Sequence, residues 1–171
     1  MPLNLIKKYP DLLELDRFNK RNREASLKRI FKRDFEDVVN SFRDKIIRPI
    51  PSQSQQDKME ILYKHLTTKK IYGRNDNKRA YDRDRAIRLH WVRPHVLQNI
   101  PDELTIFSVQ EKVQGSYAVR TYIYNRSEQY VIILEPFRNT DDYYLITAYY
   151  LETRNKRKIE NKLKRKLTKV H

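Results

Sequence analysis

Arginine and histidine side chains are concentrated around one tryptophan near the middle of the chain. Segment 83–95 has helical periodicity and contains Arg83, Arg85, Arg88, His90, Arg93 and His95. Imidazole transfers protons near neutral pH, and guanidinium groups donate paired hydrogen bonds to phosphate oxygens. These residue types in one segment predict a site that handles phosphate.

Histidine is well suited to transferring protons at working pH, and the chain has four histidines. His90 is a candidate general acid or base, with a structural histidine beside Trp91 as the alternative interpretation. His95 lies about 140° from His90 on a continuous helix, so the two share a face only if Pro94 breaks that helix. His65 and His171 are interpreted as incidental.

Four runs rich in β-branched and aromatic residues predict strands in the second half of the chain. They span residues 104–109, 117–124, 130–135 and 143–151, and polar breaks separate them. Short breaks between successive strands are typical of an antiparallel meander. One face of this sheet must pack on helices, and the other can present polar side chains to a ligand.

Two polar side chains, Arg120 and Thr147, interrupt these apolar runs. Burial of an arginine is costly without a partner, so Arg120 is either a phosphate ligand or a member of an ion pair, for example with Glu135. Thr147 either donates a hydrogen bond to phosphate or is an ordinary strand threonine. Arg88 is the second predicted phosphate ligand. Whether Arg120 and Thr147 lie on one face of the sheet stays open.

The composition limits the classes of partner and of chemistry. The 171-residue chain has a net charge of +15 and a sequence pI of about 9.9, which predicts a polyanionic partner such as nucleic acid. The absence of cysteine excludes disulfides, thiolate zinc sites and cysteine nucleophiles. Two glycines are too few for a glycine-rich phosphate loop. No local set of histidines and carboxylates has metal-ligand spacing, so we expect no metal and no other cofactor.

The sequence predicts a soluble protein whose N-terminal part is mainly helical. No apolar run reaches the roughly 20 residues of a membrane span, and the N-terminus lacks the apolar core of a signal peptide. We therefore expect a cytoplasmic protein without a membrane partner. Apolar residues recur at helical spacing over 16–44 and 55–67, and again from about residue 76.

The C-terminal stretch is strongly basic. Residues 153–171 contain nine Lys and Arg against one acid, Glu160, and a thin apolar stripe predicts a helix. We expect this helix to act as an electrostatic arm for RNA or DNA, with a solubilising tail as the alternative. The predicted nucleic-acid contacts, in this helix and elsewhere, are Arg85, Arg93, His95, Tyr122, Lys156, Arg157, Lys162, Lys164 and Arg165.

Four short motifs follow one another in the second half of the chain: RLHW at 88–91, RTY at 120–122, YVIIL at 130–134 and TAYY at 147–150. This ordered set resembles a family of phage-associated nuclease domains within the barnase, EndoU, colicin and RelE-like group, abbreviated BECR. The likeness covers about residues 76–152. Residues 1–75 then form a helical N-terminal segment, and residues 153–171 form the basic C-terminal helix.

The resemblance implies an α+β fold in which helices pack on a four-stranded antiparallel sheet. It also implies metal-independent RNA cleavage in a phage or toxin setting, in a bacterial or phage-infected cell. The residues that would carry this reaction are His90, Arg120, Thr147, Arg88 and Tyr149. The expected partners are RNA, for example tRNA, and a cognate inhibitor or antitoxin protein. Two alternatives stay open: a non-catalytic nucleic-acid-binding protein, and a phage accessory protein that contacts the genome.

Overall fold

The described part of the chain, in a computed structural model, comprises residues 3–71, 78–137 and 139–171. It forms six α-helices: α1 (Leu3–Ile6), α2 (Lys20–Phe31), α3 (Lys58–Thr67), α4 (Arg83–Ala86), α5 (Val92–Val96) and α6 (Lys156–Lys164). A π-helical turn, Lys32–Glu36, continues α2, and 3-10 turns at Leu89–Trp91 and Thr153–Asn155 precede α5 and α6. No helix in these ranges is long and apolar enough to cross a membrane.

The described residues also form eight strands in two sheets. The strands are β1 (Ser41–Phe42), β2 (Lys45–Pro49), β3 (Thr68–Lys70), β4 (Arg79–Tyr81), β5 (Leu104–Val113), β6 (Ser116–Asn125), β7 (Tyr130–Pro136) and β8 (Tyr143–Tyr150). The large sheet is curled and has the order β1-β2-β8-β7-β6-β5. All its neighbouring strands are antiparallel except β2 and β8, which are parallel. β3 and β4 form a separate antiparallel hairpin.

The prediction of a four-stranded antiparallel sheet is wrong, although the α+β class fits. The predicted meander is present as β5–β8, but β2 pairs in parallel with β8, and β1 extends the sheet beyond β2. The sequence concealed these two strands because apolar residues continue at helical spacing as far as Ile46. The helix predicted over 16–44 is α2 with its π-helical turn, and it ends at Glu36.

A tight turn replaces the last part of that predicted helix. Arg43 and Asp44 have positive φ, at 50° and 66°, and Phe42 pairs with Lys45 across them. Positive φ at both central residues of a two-residue loop matches the natural twist of a hairpin. β1 and β2 therefore form a hairpin where the spacing predicts further helix.

The other predicted helices are present in shorter or interrupted form. α3 lies inside the predicted 55–67 helix and is capped by Asp57, whose side chain accepts a hydrogen bond from the backbone nitrogen of Met59. The helix predicted from residue 76 is divided into α4, a 3-10 turn and α5. The predicted basic C-terminal helix is α6.

Two apolar clusters cover opposite faces of the large sheet, as the alternation along β7 shows. Ile132 and Leu134 belong to the larger cluster, and Val131 and Ile133 belong to the smaller one. α2 and α3 contribute to the larger cluster, whereas Ile159 of α6 packs in the smaller. The larger cluster contains residues from both sides of the predicted segment boundary at 75/76, which lies outside the described residues. The division into three segments stays a prediction.

Candidate functional site

A β-bulge in β8 lies at the centre of the candidate site. β7 pairs with Leu145 and then with Thr147, so Ile146 has no partner in β7. On the other side of β8, the pairing with β2 ends at Leu145. Bulges redirect side chains and interrupt regular pairing, and they are frequent next to active sites. Here the bulge leaves the Ile146 carbonyl to be bound by a side chain, that of His65.

His65 lies in the last turn of α3 and is half-buried. Its Nδ1 is 3.3 Å from the carbonyl oxygen of Ile146. A carbonyl oxygen only accepts hydrogen bonds, so Nδ1 carries the proton and Nε2 is the basic nitrogen. Burial lowers the pKa of His65 below its usual range, and the positive charges of Arg79 and Arg85 lower it further. His65 is therefore a neutral base near pH 7.

Arg85 connects three elements around this histidine. One of its terminal nitrogens, Nη1, donates hydrogen bonds to the backbone oxygen of His65 at 2.9 Å and to Oγ1 of Thr147 at 3.0 Å. The hydroxyl of Thr147 in turn donates to the same His65 oxygen at 3.3 Å. Asp82, the N-cap of α4, lies 3.3 Å from Nε of Arg85. The end of α3, the start of α4 and the bulge of β8 are thus held together by one guanidinium group.

Arg79 adds a second guanidinium, which has no acidic partner among the residues that the structure describes. It is half-buried in β4 and donates hydrogen bonds to the side chain and the backbone oxygen of Thr68, at 2.8 and 2.9 Å. Within the described residues, no carboxylate lies at ion-pair distance from Arg79. Burial and the neighbouring charge of Arg85 both lower its pKa. A half-buried positive charge that no described carboxylate neutralises favours binding of an anion.

We refer to His65, Arg79, Arg85 and Thr147 as the anion cluster. Tyr149 borders it, with its ring centre 5.5 Å from the guanidinium carbon of Arg85. Of the residues that the sequence predicts for a site, the structure brings Arg85, Thr147 and Tyr149 together. Two members of the cluster, His65 and Arg79, were not predicted as site residues.

Arg88 lies one turn beyond Arg85 and packs on aromatic rings. Its guanidinium carbon is 4.3 Å from the ring centre of Tyr150 and 5.2 Å from that of Trp91. Its Nη1 donates a hydrogen bond to the backbone oxygen of Asp84 at 2.9 Å. Arg88 therefore packs on Tyr150 of β8, and its role as a phosphate ligand stays a prediction.

The two histidines of the arginine-rich segment are buried away from the anion cluster. His90 is 4 % exposed, and its Nε2 is 3.0 Å from the backbone oxygen of Asp11, which also accepts a hydrogen bond from the Trp91 indole. His95 is fully buried between the backbone oxygen of Trp91 and the side chain of Asn125. Burial lowers the pKa of each histidine to about 4. Their predicted roles in catalysis and in binding stay predictions.

Arg120 adopts the ion-pair arrangement that the sequence left open. Its Nε lies 3.3 Å from a carboxylate oxygen of Glu135 on the neighbouring strand. No contact within the described residues joins Arg120 to His90 or to Thr147. Arg93, a predicted nucleic-acid contact, lies on α5 and is half-buried.

The basic C-terminal helix is packed against the sheet by an internal charge pair. Lys162 contacts both Glu111 and the hydroxyl of Tyr122, and that hydroxyl donates to Glu111 at 2.9 Å. We call these three residues the α6 clamp. Two of the predicted nucleic-acid contacts, Tyr122 and Lys162, are therefore engaged inside the protein. The other cations predicted to bind nucleic acid on and after α6 are exposed or half-buried; they are Lys156, Arg157, Lys164 and Arg165.

Little in the sequence indicates a role for the two unpredicted members of the anion cluster, His65 and Arg79. His65 is 82 positions from Thr147, and only the bulge in β8 brings the two together. Arg79 belongs to a basic stretch, 67–79, that reads as a mobile loop or a hinge, and residues 72–77 of that stretch lie outside the described residues. The one available hint was the density of cations that follows His65 in the chain.

No group of three or more His, Asp or Glu side chains in residues 3–71, 78–137 and 139–171 is arranged to hold a metal ion. Comparison of the chain with models of protein families, with curated proteins and with solved structures gives no match. The resemblance to the BECR nucleases therefore stays a prediction, and a functional conclusion must rest on the geometry of the anion cluster.

Proposed function

We propose that this protein is a metal-independent endoribonuclease and that the anion cluster is its active site. One observation carries the proposal: a histidine whose Nδ1 is bound to a carbonyl oxygen lies close enough to Arg79 for that charge to lower its pKa, and Arg79 has no acidic partner in the described residues. RNA cleavage needs a base for the ribose 2′-hydroxyl and positive groups for the phosphate, and these side chains supply both. The net charge of +15 further favours a polyanionic substrate.

The reaction follows from the position of each group. Nε2 of His65 takes the proton of the 2′-hydroxyl as the 2′-oxygen attacks phosphorus. The bond from phosphorus to the 5′-oxygen breaks, the departing 5′-oxygen takes a proton from water, and the hydroxide that remains takes the proton from His65. The products are a 2′,3′-cyclic phosphate and a free 5′-hydroxyl. Arg79 and Arg85 stabilise the negative charge that builds on the phosphate oxygens, and Thr147 holds Arg85 in place.

The first experiment is incubation of the purified protein with total tRNA and with ribosomal RNA in EDTA, followed by mapping of the fragment ends. We expect discrete cuts that leave 2′,3′-cyclic phosphates. His65→Gln and Arg85→Gln should each slow cleavage by about a hundredfold or more, because each removes a group that acts in the transition state. Arg29→Gln, which removes an exposed arginine of α2, is the matched control and should cleave at the normal rate.

The same experiment separates this proposal from its main competitor. Intact RNA that is nevertheless retained in a gel shift would contradict the nuclease and favour a protein that only binds nucleic acid. Cleavage that survives in both His65→Gln and Arg85→Gln would contradict the assignment of the site. Rates should also fall in acid, at a pH below the ordinary histidine range, because the pKa of His65 is lowered and its protonation removes the base.

A further inference from the structure

One face of the β3–β4 hairpin continues the anion cluster outward. Thr68 pairs with Tyr81, and Lys70 pairs with Arg79. Because side chains alternate along a strand, these four residues share one face of the hairpin. Arg79, a member of the anion cluster, therefore lies next to Lys70 and two residues from Tyr81. This face is a basic and aromatic surface that begins at the proposed active site.

Besides Lys70 and Arg79, a cation from α2, Arg23, is stacked on this face. The guanidinium carbon of Arg23 is 3.9 Å from the ring centre of Tyr81, and Tyr81 is 36 % exposed. Within the described residues, the Arg23 side chain makes neither an ion pair nor a hydrogen bond, so its donors are not committed to any other group. A guanidinium stacked on an aromatic ring is held flat, which suits it for stacking on a nucleic-acid base.

A similar pair five residues farther along α2 has a different electrostatic environment. Lys28 lies 4.0 Å from the ring centre of Tyr63, but Lys28 is also paired with Glu60, and Tyr63 is buried. That cation is neutralised, and its aromatic partner is covered. Arg23 has no acidic partner in the described residues, and the ring of Tyr81 is accessible. Of these two pairs, only Arg23–Tyr81 is therefore suited to binding a nucleotide, which carries both a negative charge and an aromatic base.

We propose that Arg23, Lys70 and Tyr81 form a subsite for the unpaired nucleotide next to the cut phosphate. This inference rests on the proposed function, because it uses the anion cluster as the place of cleavage. The base stacks on the Arg23–Tyr81 pair, and Lys70 with Arg79 contacts the flanking phosphate. Two residues along a strand span about 6–7 Å, a length on the scale of one nucleotide step. A base inside a duplex is already stacked on its neighbours, so the subsite selects a single-stranded segment.

Binding of non-cleavable probes tests the subsite independently of catalysis. The probes are a single-stranded 2′-O-methyl RNA octamer, whose blocked 2′ positions prevent cleavage, and inorganic polyphosphate, which has charge but no bases. We expect Arg23→Gln and Tyr81→Leu each to weaken binding of the octamer about tenfold. Binding of polyphosphate should stay within about twofold in Tyr81→Leu, and in Arg23→Gln it should fall much less than binding of the octamer, because that variant also removes one charge. Lys70→Gln should weaken both and lower the slope of log affinity against log salt by about one. Lys28→Gln is the matched control and should change neither.

The outcomes distinguish this inference from the proposed function. Octamer affinity that stays within about twofold in both Arg23→Gln and Tyr81→Leu would overturn the subsite. An equal loss of octamer and polyphosphate binding in these two variants would also overturn it, because charge alone would then explain the binding. If wild type binds the octamer through Arg23 and Tyr81 but leaves RNA intact in EDTA, the subsite stands and the nuclease assignment fails. Tyr81→Leu is used only if its thermal unfolding matches wild type; Arg23→Gln, at a half-buried position on α2, carries the test otherwise.

Discussion

The anion cluster and the α6 clamp both place cations against the sheet, yet they differ in how the charge is balanced. In the α6 clamp, Lys162 is paired with Glu111 and contacts the hydroxyl of Tyr122. In the anion cluster, Arg79 has no acidic partner in the described residues, and Arg85 shares its charge between Asp82 and neutral oxygens. The α6 clamp holds the C-terminal helix on the sheet, whereas the anion cluster leaves positive charge that a ligand can neutralise.

This comparison teaches that a high density of lysine and arginine does not by itself locate a binding site. The C-terminal helix is the most basic stretch of the sequence, but its central lysine serves the packing of the smaller apolar cluster. The anion cluster has fewer cations, but both of its arginines are half-buried, and Arg79 has no acidic partner in the described residues. The burial of a cation and its balance by acids are therefore more informative together than the local count of cations.

Removal of residues 156–171 should have the largest effect on this comparison. These residues include Ile159, which is 2 % exposed in the smaller cluster, and their loss uncovers the apolar side chains of Phe107, Val131 and Leu151. We expect the shortened chain to lose cooperative unfolding in urea, because burial of that face is a large share of marginal stability. A shortened chain that folds normally and differs only in the salt dependence of RNA binding would instead identify this segment as an electrostatic arm.

Acid should act next most strongly, through the buried histidines rather than through His65. The pKa values of His90 and His95 are lowered to about 4 in the folded protein, against about 6.5 in the unfolded chain. Between these values the unfolded chain binds protons that the folded protein does not. The free energy of unfolding is therefore complete above pH 6.5 and falls towards pH 4, by about 3 kcal/mol for each histidine.

Urea unfolding measured at a series of pH values between 7 and 4 checks this prediction. A free energy of unfolding that stays constant over that range would contradict the burial of His90 and His95. Activity measured on the folded protein should fall separately, as His65 is protonated. The pH dependence of unfolding and that of activity together separate His90 and His95, which stabilise the core, from His65, the proposed catalytic base.

The smallest effects are expected from single charge changes, and their signs should be opposite in the two regions. Glu111→Gln leaves Lys162 half-buried without its counter-charge and should destabilise the fold by roughly 3 kcal/mol. Arg79→Gln removes a cation that has no acidic partner in the described residues, and it should leave stability unchanged or raise it by up to about 1 kcal/mol, while activity is lost. Urea unfolding of both variants measures this. A destabilisation of similar size in both would erase the distinction between the two regions.

The parts of the fold that the sequence predicts are those with a local pattern. The β5–β8 meander, α3 and α6 each follow from alternation or helical spacing within a short window. β1 and β2 do not, because Phe42 and Ile46 keep helical spacing while the backbone turns at Arg43 and Asp44.

The candidate site follows the same rule. Arg85 and Thr147 were predicted from their residue types and neighbours, but their contact depends on a bulge at Ile146 that no local pattern indicates. His65 was interpreted as incidental because the residues that give it a role, Arg79 and Thr147, come from other elements. The choice of His65 as the proposed base depends on contacts between residues far apart in the chain, and a single sequence does not show those contacts.

The parallel pairing of β2 with β8 has a consequence for the order in which the protein is made. A ribosome releases β2 long before β8, so β2 lacks its sheet neighbour until residues 143–150 have emerged. The same late strand supplies the Ile146 carbonyl that orients His65 and the Thr147 hydroxyl that contacts Arg85. A nascent chain that has not reached β8 therefore lacks the active site proposed here. Until that last strand has formed, the chain cannot cleave the RNA of the ribosome that is making it.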